Sequence, residues 1–233
     1  MYKLARRELK SPTKKRALIA NERPKSPITE QYRTIRTNIE FSSVDQELKT
    51  LLVTSSGPGE GKSTTAANLA IVLAQNGNDV LLVDTDLRKP TVHHTFGILN
   101  TRGLTNLLMK TEVIEDVIQT SKVERLSILP SGPIPPNPAE LLNSKTMELT
   151  LESFKSKYDI IVLDTPPVMA VTDAQVLGNK VDGSILVVSN GKTDRNQAVK
   201  TKELLSQTSS KLLGVVFNNK EVKKGNYYYY YGE

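Results

Sequence analysis

The sequence predicts an α/β fold with a mostly parallel sheet covered by helices on both faces. Short apolar segments bounded by turn residues alternate with longer segments that can be helical, which is typical of buried parallel strands joined by helices. Strands are predicted at residues 51–54, 80–83, 126–129, 160–163, 185–188 and 212–216. Helices are predicted at about residues 28–44, 62–75, 103–120, 139–157, 173–179 and 194–207. Ligands of such sheets bind at the carboxyl ends of the strands.

The chain begins with a basic segment that precedes the first predicted helix. Residues 1–25 contain nine basic and two acidic residues, a charge of +7, whereas the rest of the chain carries −1 of the net charge of +6. Such a charge run is typical of a solvated, mobile terminus, and attraction to an anionic membrane surface is the second interpretation. The helix after it has an apolar stripe at helical spacing, formed by Ile28, Tyr32, Ile35 and Ile39. We therefore expect a flexible tail at 1–26, one domain at 27–222 and a flexible tail at 223–233.

A glycine-rich loop joins the first predicted strand to the next helix. It consists of Gly57, Pro58, Gly59, Glu60, Gly61, Lys62, Ser63 and Thr64. In such a loop, backbone N–H groups and the positive end of the helix surround a phosphate. Lys62 is expected to reach the β- and γ-phosphates, and the Ser63 hydroxyl to bind Mg²⁺. The usual pattern opens with glycine, whereas Ser56 stands here, so the loop is a variant. The sequence thus predicts a fold of the P-loop NTPase type that binds a nucleoside triphosphate.

Acidic residues follow two other predicted strands. Asp84 and Asp86 come after the second strand, and Asp164 ends another. Carboxylates on two strands beside a phosphate loop are typical of a Mg²⁺-nucleotide site. We expect Asp84 to take a hydroxyl proton or to orient a nucleophile, and Asp86 and Asp164 to support Mg²⁺; the reverse division of roles is also open. Arg88 either neutralises phosphate charge or forms a surface salt bridge.

The far end of the chain carries a run of five tyrosines, Tyr227, Tyr228, Tyr229, Tyr230 and Tyr231. No packed element needs such a run, and a chain terminus is normally mobile. The run is either a low-complexity tail or a set of phosphate acceptors attached to the enzyme that modifies them. A nucleotide site in the same chain favours the acceptors. Asn218 and Asn219, just after the last predicted strand, are candidates for an adenine pocket by position alone.

Together these features resemble the bacterial tyrosine kinases of exopolysaccharide and capsule synthesis, called BY-kinases. The resemblance extends from Glu30 onward and rests on the phosphate loop, the Asp84/Asp86 segment, residues 164–167 and the tyrosine cluster. It implies ATP-dependent transfer of phosphate to tyrosine hydroxyls, including those of the chain's own tail, with Mg²⁺ as cofactor. The residues expected to carry the catalysis are Lys62, Asp84, Asp86 and Arg88.

The resemblance also has implications for partners. The family has a Glu-x-x-Arg-x-x-Arg element used in subunit contacts, and Glu30, Arg33 and Arg36 match it. It implies a homo-oligomeric ring in which the tail of one subunit enters its neighbour's site. No membrane segment or secretory leader is visible, so the chain looks like the split type, which the cytoplasmic end of a separate membrane protein activates. We therefore expect a cytoplasmic kinase, recruited to the inner face of the cell membrane, that acts on protein tyrosines in polymer export or biofilm formation.

Two other functions compete with kinase activity. One is an ATPase switch of the cell-division or plasmid-partition type, and the other is a scaffold that binds ATP without catalysis. The switches carry a lysine five positions before the main one, where this chain has Gly57. Direct nucleic-acid binding is not expected, because the basic charge is confined to the tail and aromatic residues are scarce elsewhere. The chain has no cysteine, which excludes a thiolate nucleophile and a cysteine-based metal site.

Overall fold

A computed structural model describes residues 17–42 and 48–220, and this part of the chain contains one seven-stranded sheet. The strands are β1 (Thr50–Ser55), β2 (Val80–Asp84), β3 (Gln119–Thr120), β4 (Leu126–Leu129), β5 (Ile160–Asp164), β6 (Gly183–Ser189) and β7 (Lys211–Asn218). Their order in the sheet is β3-β4-β2-β5-β1-β6-β7. All neighbouring pairs are parallel except β3 with β4, which is antiparallel.

Helices cover both faces of this sheet. They are α1 (Ile19–Glu22), α2 (Pro27–Ser42), α3 (Lys62–Ala74), α4 (Val92–Phe96), α5 (Leu104–Leu108), α6 (Ile114–Val117), α7 (Pro138–Asn143), α8 (Lys145–Lys155), α9 (Asp173–Gly178) and α10 (Arg195–Ser206). Alternate strand residues point to opposite faces. Leu51 and Val53 accordingly pack with α1, α2 and α3, whereas Leu52 packs with α5, α7 and α8 on the other face. The predicted fold class, a mostly parallel sheet between two helical layers, is confirmed.

Two of the predicted helices are broken in the structure. Residues 103–120 form α5, α6 and the short strand β3, and the chain turns after α5 at Lys110, whose φ of 59° lies in the left-handed region. Residues 139–157 form α7 and α8, because Ser144 leaves the helical conformation and its hydroxyl accepts a hydrogen bond from the Met147 N–H. This is an N-cap, which starts a new helix. Helix α4, after the Asp84/Asp86 segment, was not predicted.

The N-terminal boundary of the packed structure lies before the predicted residue 27. Residues 17–26 include α1, and Ala20 is fully buried against α3. The Ala20 N–H donates to Asn68 Oδ1 at 2.9 Å, and Gln75 Nε2 donates to the Ala20 carbonyl at 3.2 Å. The prediction of a flexible tail up to residue 26 is therefore wrong for these ten residues: the apolar run 17–20 gives the segment enough buried surface to pack. The predicted tail at 223–233 lies outside the described residues.

The strand register brings the acidic residues together. Val53 of β1 pairs with Asp164 at the end of β5, and Asp84 at the end of β2 pairs with the same Asp164. The phosphate loop follows directly from β1. The predicted nucleotide residues on β1, β2 and β5 therefore converge at one edge of the sheet.

Candidate active site

The phosphate loop leaves β1 at Ser55 and enters α3 at Lys62. Two of its glycines are required by its shape. Gly61, at the N-cap of α3, has a φ of +101°, and a Cβ there would lie 2.0 Å from Nδ2 of Asn218. Gly59 has a φ of +73°. Side chains are strained in this conformation, so glycine lets the backbone turn with its N–H groups available to a ligand.

Glu60 closes the base of the loop. Its side chain is buried, and its Oε2 accepts a hydrogen bond from the Ser56 N–H at 3.0 Å. The Ser56 hydroxyl is itself buried without a hydrogen-bond partner among the described residues. The serine that replaces the usual opening glycine is therefore held through its backbone. The position of Glu60 in the loop was predicted, but this carboxylate contact was not, because no spacing rule encodes it.

Lys62 lies at the centre of a buried ion cluster. Its Nζ is 3.2 Å from Asp86 Oδ2, 3.3 Å from Asp164 Oδ1 and 3.2 Å from Ser63 Oγ. Burial by itself lowers the pKa of Lys62, but the negative charges of Asp164, Asp86 and Asp84 outweigh it, so the pKa is raised and the ammonium stays charged. The structure thus brings together the lysine and both carboxylates that the sequence assigned to one nucleotide site.

Asp84 and Asp86 have different surroundings. Asp84 is fully buried, and its carboxylate accepts backbone N–H groups of Asp86 at 3.2 Å and of Thr91 and Val92 at 2.9 Å each. Burial and the charge of Asp164 raise the pKa of Asp84, while the N–H groups of Val92 and Thr91 act against that rise. These bonds fold the segment that carries Asp86. The contacts thus distinguish the two carboxylates: backbone N–H groups enclose Asp84, whereas Asp86 lies beside Lys62 Nζ. The division of catalytic roles between them stays a prediction.

The cavity above the loop has a volume of about 340 Å³. The residues that line it are Pro58, Gly59, Gly61, Lys62, Ser63, Thr64, Asp86, Lys89, Thr91 and Pro167. Asp84 and Arg88 are absent from this lining. The loop residues and Asp86 thus surround the space that a phosphate group would enter.

Arg88 forms a two-bond salt bridge. Its Nε and Nη2 donate to the two carboxylate oxygens of Asp173 at 2.9 and 3.0 Å, and Asp173 is fully buried at the start of α9. The hydrogen bonds to Asp173 raise the pKa of Arg88. Of the two roles considered from the sequence, the salt bridge is the one that the contacts support, and a direct phosphate contact is not. Asp173 was missed, because its partner is distant in sequence.

The oxygen groups beside Lys62 fit a magnesium ion that a nucleotide brings with it. Asp164 Oδ2 is buried without a hydrogen-bond partner among the described residues, so it is available to a water molecule of a hydrated cation. Ser63 Oγ and the Asp86 carboxylate lie beside it around Lys62 Nζ. Within residues 17–42 and 48–220, no group of three or more His, Cys, Asp or Glu residues could hold a metal. Mg²⁺ commonly binds through one or two carboxylates together with substrate phosphates, and Asp86 and Asp164 are carboxylates of this kind beside the loop.

The residues predicted for subunit contacts all lie on α2. Glu30 forms an ion pair with Arg33 on the exposed side of the helix. Arg36 instead reaches α3, where its Nη1 donates to the Val72 carbonyl at 3.4 Å. The predicted phosphate acceptors Tyr227–Tyr231 lie outside the described residues. In the described part of the chain, no helix is both long enough and apolar enough to cross a bilayer.

Asn218, the last residue of β7, lies against the phosphate loop, and Asn219 follows it. Asn218 Nδ2 donates to the Glu60 carbonyl at 2.9 Å, and Asn219 Nδ2 donates to Ser189 Oγ at 2.9 Å. Both asparagines also line a groove of about 490 Å³ between α2 and β7, together with apolar side chains such as Tyr32. Their position beside the loop agrees with the prediction that they adjoin the nucleotide, which remains a prediction.

Sequence comparisons place this arrangement among known proteins. Residues 48–193 match the family model of the AAA domain. The tyrosine-protein kinase YwqD of Bacillus subtilis (strain 168) is 54% identical over 229 residues, which cover 98% of this chain and 97% of that protein. The tyrosine-protein kinase CpsD of Streptococcus agalactiae serotype III (strain NEM316) is 44% identical over 82% of each chain.

Solved structures show the same similarity. The chimerical protein CapA2B2 has a TM-score of 0.86 and 43% identity, covering 88% of this chain and 90% of its own. The kinase domain of the Escherichia coli tyrosine kinase ETK has a TM-score of 0.83 and 31% identity, covering 97% and 89%. The septum site-determining protein MinD of Pyrococcus horikoshii OT3, complexed with Mg-ADP, has a TM-score of 0.63 and 25% identity over 72% and 69%. The similarity to the kinase is thus greater than the similarity to the cell-division protein.

Proposed function

This chain belongs to the bacterial tyrosine-protein kinases of capsule and exopolysaccharide synthesis. We propose that it transfers the γ-phosphate of ATP to tyrosine hydroxyls, and that its first acceptors are Tyr227–Tyr231 in the tail of another copy of the same chain. The observation that carries the proposal is the position of Lys62 at the start of α3, beneath a glycine loop and between Asp86 and Asp164. This arrangement combines the phosphate-binding group with the two carboxylates that phosphoryl transfer requires.

The chemistry follows from these positions. The backbone N–H groups of the loop and the Lys62 ammonium bind the β- and γ-phosphates. Mg²⁺ would be held by Ser63 Oγ, Asp164 and the nucleotide phosphates, and it would neutralise charge that develops on them. The tyrosine oxygen forms a bond to the γ-phosphorus as the bond from that phosphorus to ADP breaks. Asp86, which lines the cavity, accepts the tyrosine proton.

The proposal extends to assembly and location. Subunits associate through the surface of α2 that carries Glu30 and Arg33, and a ring of subunits presents each tail to the neighbouring site. The cytoplasmic end of a membrane protein activates the kinase and recruits it to the inner face of the cell membrane. The protein substrates carry tyrosine. The exposure of the Glu30–Arg33 pair on α2 supports an interface there, since a side chain with a free surface is accessible to a second subunit.

The test is the intact mass of the purified protein after incubation with Mg-ATP, with and without a cytoplasmic activator fragment. We expect stepwise additions of phosphate that map to Tyr227–Tyr231. Lys62→Met should abolish them, because it removes the phosphate-binding ammonium. Replacing the five tyrosines with phenylalanine should remove the additions and preserve nucleotide binding. An unchanged mass despite activator and measured ATP binding would favour the switch or the scaffold instead.

A further inference from the structure

Lys192, in the segment after β6, places its ammonium over the phosphate loop. A Cβ built on Gly59 would lie 2.5 Å from Lys192 Nζ and 3.9 Å from its Cε. The ammonium therefore occupies the space next to the Gly59 Cα, at the bend of the loop. Gly59 is also one of the residues that line the phosphate cavity. The ammonium of Lys192 thus lies beside a residue of the cavity lining, and it comes from the turn after β6, which the nucleotide motif does not include.

The backbone around Lys192 is held in place on both sides. Its N–H donates to the Ser189 carbonyl at 3.1 Å, and the Ser189 N–H donates to Thr193 Oγ1 at 2.8 Å, so the segment forms a closed turn. The Asn190 N–H donates to the Asn218 carbonyl at 2.9 Å. The side chain of Asn218 in turn donates to the loop at Glu60. The turn that carries Lys192 and the phosphate loop are therefore attached to the same strand end.

The charges of the two lysines at the loop are balanced differently. Lys62 is paired with Asp86 and Asp164. Lys192 is exposed, and no residue in the described part of the chain forms an ion pair or side-chain hydrogen bond with it. A phosphate chain entering the cavity approaches carboxylates whose charge Lys62 only partly offsets. An additional unpaired ammonium beside Gly59 lowers the free-energy cost of bringing that negative charge into the cavity.

We propose that Lys192 binds the phosphate chain of the nucleotide from the β6 side of the loop. A residue that contributes to nucleotide affinity besides Lys62 thus comes from the turn after β6. This inference rests on the proposed nucleotide-dependent function, but it concerns binding and not transfer.

The experiment measures binding of Mg-ATP and Mg-ADP by titration calorimetry on the full chain at two salt concentrations. Lys192→Met should weaken binding of Mg-ATP by roughly tenfold, the loss of one charge-assisted contact at an accessible site, and should flatten the dependence of affinity on salt. Lys192→Arg should restore most of the affinity. Lys200→Met, which replaces an exposed lysine on α10, is the matched control and should bind both nucleotides as the unchanged protein does.

In kinase assays, Lys192→Met should raise KM for ATP and leave kcat within about twofold, since a contact made equally before and during transfer changes only KM.

The outcomes separate this inference from the proposed function. If the unchanged protein binds ATP and Lys192→Met binds it equally well, the role of Lys192 is refuted and the kinase proposal stands. Equal weakening by Lys200→Met would also refute it, because the effect would then belong to net charge. If the unchanged protein binds neither nucleotide, the proposed function fails and this inference fails with it. If it binds nucleotide through Lys192 without phosphorylating tyrosine, only the kinase proposal fails.

Discussion

Replacing Lys62 with methionine should destabilise the fold in addition to abolishing transfer. The side chains of Lys62, Asp86 and Asp164 are 11%, 7% and 0% exposed, so the variant leaves two carboxylates facing each other with little water around them. Removing one partner of a buried ion pair costs about 3–5 kcal/mol. Because the cluster is open to the cavity at Lys62, we expect a value near the lower limit, about 3 kcal/mol at pH 8.

The loss should depend on pH in a defined direction. Burial and the charge of Asp164 raise the folded-state pKa of the neighbouring Asp84, and the Lys62 ammonium opposes that rise. Removing the ammonium therefore raises the pKa of Asp84 further above its value in the unfolded chain. The folded variant then binds more protons than its unfolded form, so its stability relative to the unchanged protein falls as pH rises through the raised pKa and recovers as pH falls below it. Urea unfolding at pH 8 and pH 5 measures this. Adding Asp86→Asn to Lys62→Met should restore much of the loss at pH 8, since the asparagine Oδ1 can still accept the Lys89 N–H.

Two results would refute this reasoning. If Lys62→Met and the unchanged protein have the same free energy of unfolding at pH 8, the cluster contributes nothing to stability. If the loss is equal at pH 5 and pH 8, it comes from packing around the methionine and not from the carboxylates. Lys200→Met serves as the control and should change the free energy of unfolding by less than about 0.5 kcal/mol, as is usual for an exposed position.

Two further predictions concern the salt bridge and the subunit contacts. Asp173→Ala should release Arg88 and loosen the segment that carries Asp86, which lowers kcat. It should also cost about 1–3 kcal/mol of stability, the usual penalty for a broken charge-assisted hydrogen bond. An unchanged kcat would show that the salt bridge does not position Asp86. Combined Arg33→Ala and Arg36→Ala should convert oligomers to smaller species in light scattering coupled to size exclusion, and an unchanged mass in solution would exclude an interface role for this pair.

The sheet could be predicted because its signal is local. Each parallel strand is buried on both faces, so its segment reads as a short apolar run whatever its neighbours are. The family could also be recognised from the sequence, because the phosphate loop and the Asp84/Asp86 segment are each contiguous in sequence. Relatives such as YwqD confirm it. The helix breaks at Lys110 and Ser144 were missed because the residues on both sides of each break keep a helical pattern. A single left-handed residue or an N-cap serine does not interrupt that pattern in the sequence.

The sequence predicted which side chains lie together around Lys62, but not how the surroundings of Asp84 and Asp86 differ. Asp84 and Asp86 are equivalent in the sequence, both acidic and both directly after a buried strand. They differ only through the backbone that folds around them: the N–H groups of Thr91 and Val92 close on Asp84 and leave Asp86 to face Lys62. Asp173 and Lys192 could not be found for a related reason. Each meets its partner through tertiary contacts between segments far apart in the chain, and no spacing rule connects them.

The contacts between α2 and α3 determine how the subunit prediction must be tested. The Arg36 guanidinium donates to the Val72 carbonyl of α3, and Tyr32 of α2 is buried in the same apolar cluster as Ala66 of that helix. Helix α3 begins at Lys62, so α2 is attached to the element that positions the phosphate-binding lysine. Arg36→Ala therefore removes an intramolecular contact as well as any contact between subunits, whereas Arg33→Ala disturbs only the surface pair with Glu30. Loss of oligomers in Arg33→Ala alone, with nucleotide affinity unchanged, is the result that assigns the interface to this surface and not to a displaced α3.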